Sequence, residues 1–410
     1  MAEFFPGPFV RILARSGRAW TQEATVSVGA AGFGHCLAMS ADRLVVGAPW
    51  AGDVSPREYG KVFVFRWNGA SWLREAELRA DDYHDYLRMG WSVAISGDTI
   101  VAGSVYDWGE TGAAYVFRFD GTTWRQEAKL TASDGLGGDR FGQSVAIEGD
   151  TIVVGALWAD VIWTASGAAY IFSRSNPGVW VEEIKLSPPS PTTLGYFGQS
   201  VELSNGRVLV GSQGADIAAP GSGEAYVFER YGAATWQLGS RLHPADAENS
   251  DGVGTTVALC GDRAIIGAPG DDDRALEAGA AYLFARGSDA IWREMAKFTA
   301  PDGMAEDDFS GAVALAGDTV VVGAARRDQF GIDSGAAYVF AISGDLDGDG
   351  VMDVCECLGD LFPDRTINET DLAIMLYYWN QGPGGDINRD GDTDEADLGL
   401  LLANWGTVCP

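Results

Sequence analysis

One pattern occurs six times in the first 340 residues, and this internal repeat limits the fold more than any other feature of the sequence. An apolar run, a two-residue turn and a second apolar run recur, as in "FGQSVAIEGDTIVVGA" and "FSGAVALAGDTVVVGAA". The glycine near the end of the second run recurs every 52 to 56 residues, at Gly47, Gly103, Gly155, Gly211, Gly267 and Gly323. Such a period indicates copies of one supersecondary unit that stack on one another.

Each repeat contains four β-rich runs. A "GAAYVF"-like run follows the first two, and a fourth run is opened by a tryptophan in five of the repeats: Trp72, Trp124, Trp180, Trp236 and Trp292. The first two runs are joined mostly by "GD", which is typical of tight hairpin turns. A four-stranded antiparallel meander at this period is typical of a β-propeller blade, whereas an immunoglobulin-like unit needs roughly 100 residues. The sequence therefore predicts a mainly β, six-bladed propeller.

The sixth repeat has no tryptophan-led run, and Trp20 opens such a run, "WTQEATV", near the other end of the chain. Because ring closure removes exposed sheet edges, we expect residues 20–26 to complete the blade of residues 309–342. Residues 9–14, "FVRILA", resemble a spare third strand, so a seven-bladed ring is the alternative.

The long connections of every repeat fall on one face of the predicted ring. In a four-stranded meander the second connection and the link between blades share one rim, and these are the long ones. Three positions after the repeated glycine stand Trp50, Tyr106 and Trp158. These aromatic residues are ligand candidates that could stack on sugar rings, and the alternative is that they fill gaps between the loops.

Acidic residues also gather on this face. Asp134 lies near Asp139, Asp302 lies near residues 307–308, and residues 271–273 are all aspartate. Such groups suit either a weak cation site or a solvated acidic rim, and the sequence leaves both open.

The "FGxSVA…VVGAP" pattern over residues 20–342 resembles the FG-GAP repeats of integrin alpha subunits and of many bacterial surface proteins. The resemblance implies a propeller that binds ligands. Some blades of that family carry an aspartate-rich calcium loop between the first two strands. Here only a two-residue turn with one aspartate remains, which is too few oxygens for calcium. We therefore expect no calcium at these turns.

The C-terminal region contains three acidic loops with oxygen-bearing residues at the spacing that calcium requires. The loop of residues 386–397 has Gly391 at the sharp turn, and its proposed ligands are Asp386, Asn388, Asp390, Asp392 (through its carbonyl), Asp394 and Asp397. The loop of residues 345–356 offers Asp345, Asp347, Asp349, Val351 (through its carbonyl), Asp353 and Glu356. The loop of residues 360–371 offers Asp360, Asp364, Asn368 and Asp371. In this third loop Phe362 and Arg365 replace a ligand and the turn glycine, so we expect weak calcium binding or none.

Residues 359–410 contain two copies of a loop followed by an apolar-rich run that is expected to form a helix, and this small α-helical, EF-hand-like domain resembles the dockerin module. That resemblance implies a calcium-dependent partner, the cohesin domain of a scaffold protein. The positions that face cohesin in the family are Glu369, Thr370, Glu395 and Ala396 here. The alternative is a calcium module that only caps the propeller.

The sequence thus divides into a propeller (1–344), an acidic calcium-binding linker (345–358) that resembles thrombospondin type 3 repeats, and a dockerin-like domain (359–410). Cys409 could form a disulfide with Cys355 or Cys357, which would indicate an oxidising compartment.

The composition favours an extracellular or cell-surface protein. With 58 acidic against 28 basic residues, the net charge of −30 disfavours nucleic acid and anionic membranes as partners. No apolar run reaches about 18 residues, so no transmembrane helix is expected, and no signal peptide is visible.

No catalytic motif stands out, and the three histidines lack metal-ligand spacing. The leading hypothesis is therefore a secreted, non-catalytic binding protein in which calcium (Ca2+) folds a tethering module. The alternatives are an adhesin or lectin whose tail is a cap, and a polysaccharide-degrading enzyme.

Overall fold

The repeat folds into sheets of short antiparallel strands, and the residues between them form turns and loops. The computed structural model describes residues 9–342, apart from 17–18, 41, 53–57, 108, 162, 233–234, 288 and 329–334. Every regular element in the described part is a β-strand.

Six consecutive sheets form the blades, and the strands within each pair in chain order. Blade one comprises β3 (Leu37–Ser40), β4 (Arg43–Ala48), β5 (Lys61–Trp67) and β6 (Trp72–Leu78). Blade two comprises β7 (Val93–Ser96), β8 (Thr99–Ser104), β9 (Ala113–Phe119) and β10 (Trp124–Leu130). Blade three comprises β11 (Ser144–Glu148), β12 (Thr151–Ala156), β13 (Ala168–Asn176) and β14 (Val179–Leu186).

The remaining blades follow the same order. Blade four comprises β15 (Val201–Ser204), β16 (Arg207–Ser212), β17 (Glu224–Arg230) and β18 (Trp236–Leu242). Blade five comprises β19 (Thr256–Cys260), β20 (Arg263–Ala268), β21 (Ala280–Arg286) and β22 (Trp292–Phe298). Blade six has three strands among the described residues: β23 (Phe309–Ala316), β24 (Thr319–Ala324) and β25 (Ala336–Ala341). The prediction of a mainly β, six-bladed propeller is confirmed.

The predicted closure by the N-terminal strand is wrong. Residues 20–26 lie in β2 (Ala19–Val26), which pairs with β1 (Val10–Ser16) and not with the sixth blade. The reason is proximity along the chain. A hairpin with a two-residue connection closes a short loop, whereas pairing with β25 would close one of about 310 residues.

The β1–β2 hairpin lies between the sixth and first blades. Val10, Ile12 and Val26 pack in one apolar cluster with Leu44 and Phe63 of blade one. On the other side, Arg15 donates hydrogen bonds to Asp318 and Thr319 of blade six. The hairpin thus joins the two ends of the array.

Neighbouring blades meet through apolar faces and through glycine. Five clusters of buried side chains each span two consecutive blades. At the junction of blades two and three, a Cβ on Gly103 would collide with the carbonyl of Gly142, whose own φ is +92°. The glycines of "FG" and "VGA" are therefore needed because two backbones approach closely there.

Five of the six tight turns between first and second strands carry an aspartate, and an arginine binds each of these five. Arg43 of blade one contacts Asp98 of blade two at 3.1 Å, and Arg207 of blade four contacts Asp262 of blade five at 3.0 Å. These carboxylates thus link adjacent blades on the face opposite to the long loops.

Candidate functional site

The predicted ligand candidates stand at equivalent places on the long-loop rim. Trp50, Tyr106 and Trp158 each lie two residues beyond the second strand of blades one, two and three. Trp50 and Trp158 are each 37% exposed, and Tyr106 is half-buried. Their role as ligand contacts stays a prediction.

Other side chains connect these three residues into a continuous row. His35 lies with its ring centroid 5.1 Å from that of Trp50 and 4.9 Å from that of Trp91. The Trp91 ring is in turn 5.9 Å from the Tyr106 ring. The row therefore crosses from blade one to blade two through ring contacts.

The row continues over blades three and four through a cation. The guanidinium of Arg140 lies 5.5 Å from the Tyr106 ring and 5.4 Å from the Trp158 ring. The Trp158 ring then contacts that of Tyr196 at 5.3 Å. We call these seven residues the aromatic ladder: Trp50, His35, Trp91, Tyr106, Arg140, Trp158 and Tyr196.

Carboxylates hold the arginines in place beside the rings. Glu110 binds Arg140 at 3.1 Å, and Glu58 binds Arg88, which stacks 4.6 Å from the Tyr106 ring, at 2.8 Å. Arg88 and Arg140 both have a φ near +55°, a left-handed conformation that non-glycine residues seldom adopt. Each positive charge is therefore balanced locally, so the ladder is close to neutral.

Sequence reasoning missed four of the seven ladder residues. Arg140 and Tyr196 immediately precede the "FG" pair of their repeats, and His35 and Trp91 immediately follow the equivalent pair. The aligned repeats carried this signal, because these columns hold large side chains in some blades and small ones in others.

The ladder occupies only part of the ring. In blades four and five the column of Trp50 holds Gly214 and Gly270, and in blade six it holds Arg326. A Cβ on Gly214 would collide with the backbone of Leu194. The aromatic ladder therefore ends at Tyr196.

The acidic groups on this face are occupied by basic side chains of the same chain. Lys297 lies within 3.0 Å of Asp246, Asp271 and Asp273, and the charged hydrogen bonds raise its pKa against the opposing effect of burial.

Two further acidic pairs have similar partners. Lys185 binds Asp134 at 2.7 Å, and Arg327 binds Asp302 at 3.1 Å. Asp139 accepts a hydrogen bond from the backbone N–H of Leu136, while burial raises its pKa. Within the described ranges, no group of three or more potential metal ligands occurs. A cation on this face would have to displace a lysine or an arginine.

The predicted calcium loops at 345–356, 360–371 and 386–397 lie outside the described residues, as do the cohesin-facing positions and Cys355, Cys357 and Cys409. Those predictions remain untested. Among the described residues, no helix is long and apolar enough to cross a membrane.

Comparison with protein families agrees with the architecture. The model of the FG-GAP repeat matches six stretches that together cover more than half of the chain: 20–65, 72–117, 124–172, 180–228, 236–284 and 292–340. No curated protein matches the chain in sequence. Each matched stretch begins with a tryptophan-led strand and runs through the first three strands of the following blade. With six such units arranged as the blades of a propeller, the chain belongs to the FG-GAP repeat family.

Proposed function

We propose that this protein is a secreted, non-catalytic binding protein. Its propeller binds a neutral polysaccharide along the aromatic ladder, and its C-terminal calcium module attaches it to a cohesin-bearing scaffold. The observation that carries the first part is the row of rings and guanidinium groups across four blades.

The chemistry of the ladder favours a sugar chain over other ligands. Indole and phenol rings offer flat apolar surfaces with a polar edge, which suits the alternating C–H faces and hydroxyls of a pyranose. Arg140 and Glu110 supply donors and acceptors for hydroxyls beside the rings. The net charge of −30 opposes a polyanionic ligand, so the neutral glycan is the better fit.

The row also has the form that an extended ligand needs. Neighbouring rings lie 4.9 to 5.9 Å apart between centroids, except that the Arg140 guanidinium stands between Tyr106 and Trp158. Trp50 and Trp158 are each 37% exposed to solvent. A linear chain could therefore contact several blades at once, and its affinity would grow with its length.

Affinity for neutral polysaccharides, measured by affinity electrophoresis or on a glycan array, tests this function. We expect Trp158→Ala and Trp50→Ala each to weaken binding roughly tenfold or more, because central tryptophans dominate such interfaces. Trp163→Ala is the matched control, since Trp163 is exposed on a loop of the same blade but is not in the ladder. Unchanged affinity in both ladder variants would refute the site, and release of reducing sugar would favour an enzyme instead.

The tethering part rests on the spacing of oxygen donors in the C-terminal loops. Twelve-residue loops with such donors fold around Ca2+, and a ligand that binds only the folded state stabilises it by about 2.7 kcal/mol at 100 times its Kd. We propose that residues 386–397 form the stronger site, and that the neighbouring Glu395 and Ala396, together with Glu369 and Thr370, contact cohesin.

Calorimetry of the full chain, with calcium and with a chelator, tests the tether. We expect a chelator-sensitive transition for the tail and a chelator-insensitive transition for the propeller. Asp390→Ala should greatly reduce the calcium effect and leave only the part that comes from residues 345–356, whereas Asp364→Ala, in the loop with Arg365, should change it little. A calcium-dependent pull-down with cohesin domains then distinguishes a tether from a cap, because a cap would bind calcium but no cohesin.

A further inference from the structure

Blade six has an open face that is closed in the other blades. Val339 in β25 is 40% exposed, while the equivalent Ile171 in blade three is 0% exposed. Val321 of β24 is half-buried, and the equivalent Val153 is fully buried. The same face of blade six includes four exposed alanines: Ala312, Ala314, Ala337 and Ala341.

Blade one has the matching defect on its opposite face. Leu37 and Met39 of β3 are 51% and 55% exposed. Their equivalents in blade three, Val145 and Ile147, are at most 9% exposed because blade two covers them. Both blades that flank the hairpin therefore expose apolar side chains that every other junction buries.

The exposed faces of blades six and one both flank the β1–β2 hairpin, which has fewer strands than a complete blade. In two complete blades, an arginine of the third strand donates a hydrogen bond to a threonine in the second strand of the preceding blade: Arg174 to Thr99, and Arg230 to Thr151. Arg15 of β1 makes the same contact with Thr319 of blade six, at 2.9 Å. Strand β1 therefore stands where the third strand of a following blade would stand, and β2 where its fourth would stand.

The two inner strands of that position have no counterpart among the described residues. In the complete blades the third strand pairs on both edges, but β1 pairs only with β2 within the described chain. The result is an open slot, bounded by Leu37 and Met39 on one side, by Val321 and Val339 on the other, and by the edge of β1 that lies opposite β2.

We propose that this open slot binds an antiparallel pair of β-strands donated by a partner polypeptide, with the sequence pattern of the first two strands of an FG-GAP repeat. The same interface occurs at five other places in the ring, where such a pair packs on the preceding blade. A strand pair would also supply backbone partners to β1, as in other cases of strand addition to a sheet edge.

No described segment of this chain is free to fill the slot. Each of the six pairs of first and second strands is already used in its own blade. The strand pair that fills the slot is therefore none of these six pairs.

Residues of blade three show which side chains the occupant needs. Val145 and Ile147 pack on blade two, so their counterparts would cover Val321 and Val339. Ala146 and Val153 pack on blade four, so their counterparts would cover Leu37 and Met39. A synthetic peptide of residues 141–156, "FGQSVAIEGDTIVVGA", carries all four positions.

Titration of the full-length protein with this peptide, labelled for fluorescence anisotropy, tests the proposal. We expect saturable 1:1 binding and slower hydrogen exchange of backbone amides in Val10–Ser16. The control peptide carries Val145→Asp and Ile147→Asp, and we expect its affinity to fall more than about tenfold because both charges would be buried.

Variants on the protein side separate the slot from other surfaces. Val339→Asp and Met39→Asp, on opposite walls, should each weaken the peptide at least about tenfold, whereas Leu73→Asp, an exposed position on the outer strand β6, should not. Circular dichroism confirms that each variant folds. The proposal is overturned if the peptide does not bind, if binding leaves Val10–Ser16 unprotected, or if the protein self-associates through Val339 and Met39 so that a second copy covers the slot.

Discussion

Blade three and blade six carry nearly the same sequence in different surroundings. Their second strands lie in "GDTIVVGA" and "GDTVVVGA", and their third strands in "GAAYIF" and "GAAYVF". The strand pairings are also equivalent, with Val153 opposite Ile171 in one blade and Val321 opposite Val339 in the other. Of these two blades, blade three has complete blades on both sides and blade six does not.

This difference shows that the repeat encodes an interface as well as a sheet. A four-stranded blade has two apolar faces and cannot bury either by itself, so each repeat depends on its neighbours for its core. The side chains that close one junction are supplied by two repeats, as in the cluster that joins Ile171 to Phe197 and Val210. Identical residues can therefore differ strongly in what they contribute to stability.

Truncation of the paired side chains gives the largest expected effect. We predict that Ile171→Ala lowers the free energy of unfolding by about 2–5 kcal/mol, because it leaves a cavity in a filled junction. Val339→Ala should change it by much less, roughly 1 kcal/mol or below, since Val339 is 40% exposed and no neighbouring blade closes a cavity around it. Urea denaturation followed by tryptophan fluorescence measures both. Equal losses in the two variants would mean that the face of blade six is covered in solution.

Much of the fold was predictable because the same strand and turn signals recur in every repeat. The tryptophan-led runs from Trp72 to Trp292 are the fourth strands of their blades, and the "GD" turns connect first and second strands as expected. A single short β-rich run predicts a strand only weakly, but the same run in five or six aligned repeats predicts it strongly. The position of the long loops then followed from strand parity alone.

The closure and the aromatic ladder could not be predicted in the same way. Whether β2 pairs with β1 or β25 depends on a competition between a local and a distant edge, and the repeats hold only one example of that junction. The ladder depends on side chains such as His35 and Arg140, which come from different columns of different repeats and meet only in three dimensions.

One residue inside the closed region breaks the repeat pattern and gives the second prediction. Glu202 lies in β15, where the other repeats have alanine: Ala38, Ala94, Ala146, Ala258 and Ala314. Its carboxylate accepts a hydrogen bond from the backbone N–H of Leu203, and burial raises its pKa from 4.5 to about 7. Since the folded state binds this proton more tightly than the unfolded state, the free energy of unfolding should fall as pH rises from 4.5 to 7.

Substitution of this carboxyl should therefore stabilise the protein in a pH-dependent manner. We expect Glu202→Ala to raise the free energy of unfolding by about 1–3 kcal/mol at pH 8 and to have much less effect near pH 4.5. Thermal melts over this pH range measure the difference, with Glu248→Ala, an exposed acid, as the control. A benefit from Glu202→Ala that did not change with pH would exclude the proposed cause.

The smallest expected effect concerns the ion pair between Arg15 of the hairpin and Asp318 of blade six. The hydrogen bond from Arg15, followed by that from Thr319, lowers the pKa of Asp318 to about 2. A carboxyl with a depressed pKa stabilises the folded state above its unfolded pKa of about 3.9, and this contribution is lost as pH falls towards 2. Because both side chains are well exposed, we expect only local loosening of β1 and β2 rather than global unfolding.

Hydrogen exchange measured residue by residue can detect this loosening. At pH 5, Asp318→Asn should reduce the protection of amides in Val10–Ser16 by a few-fold relative to β5, and near pH 2 the variant and the unmodified protein should converge. Asp42→Asn is the matched control, because Asp42 occupies the equivalent turn but pairs with Arg66 of its own blade. If protection in Asp318→Asn were unchanged at pH 5, the apolar contacts with Leu44 and Phe63 would be sufficient to hold the hairpin without this ion pair. If both variants loosened the hairpin equally, the loosening would not result from loss of the pairing with Arg15.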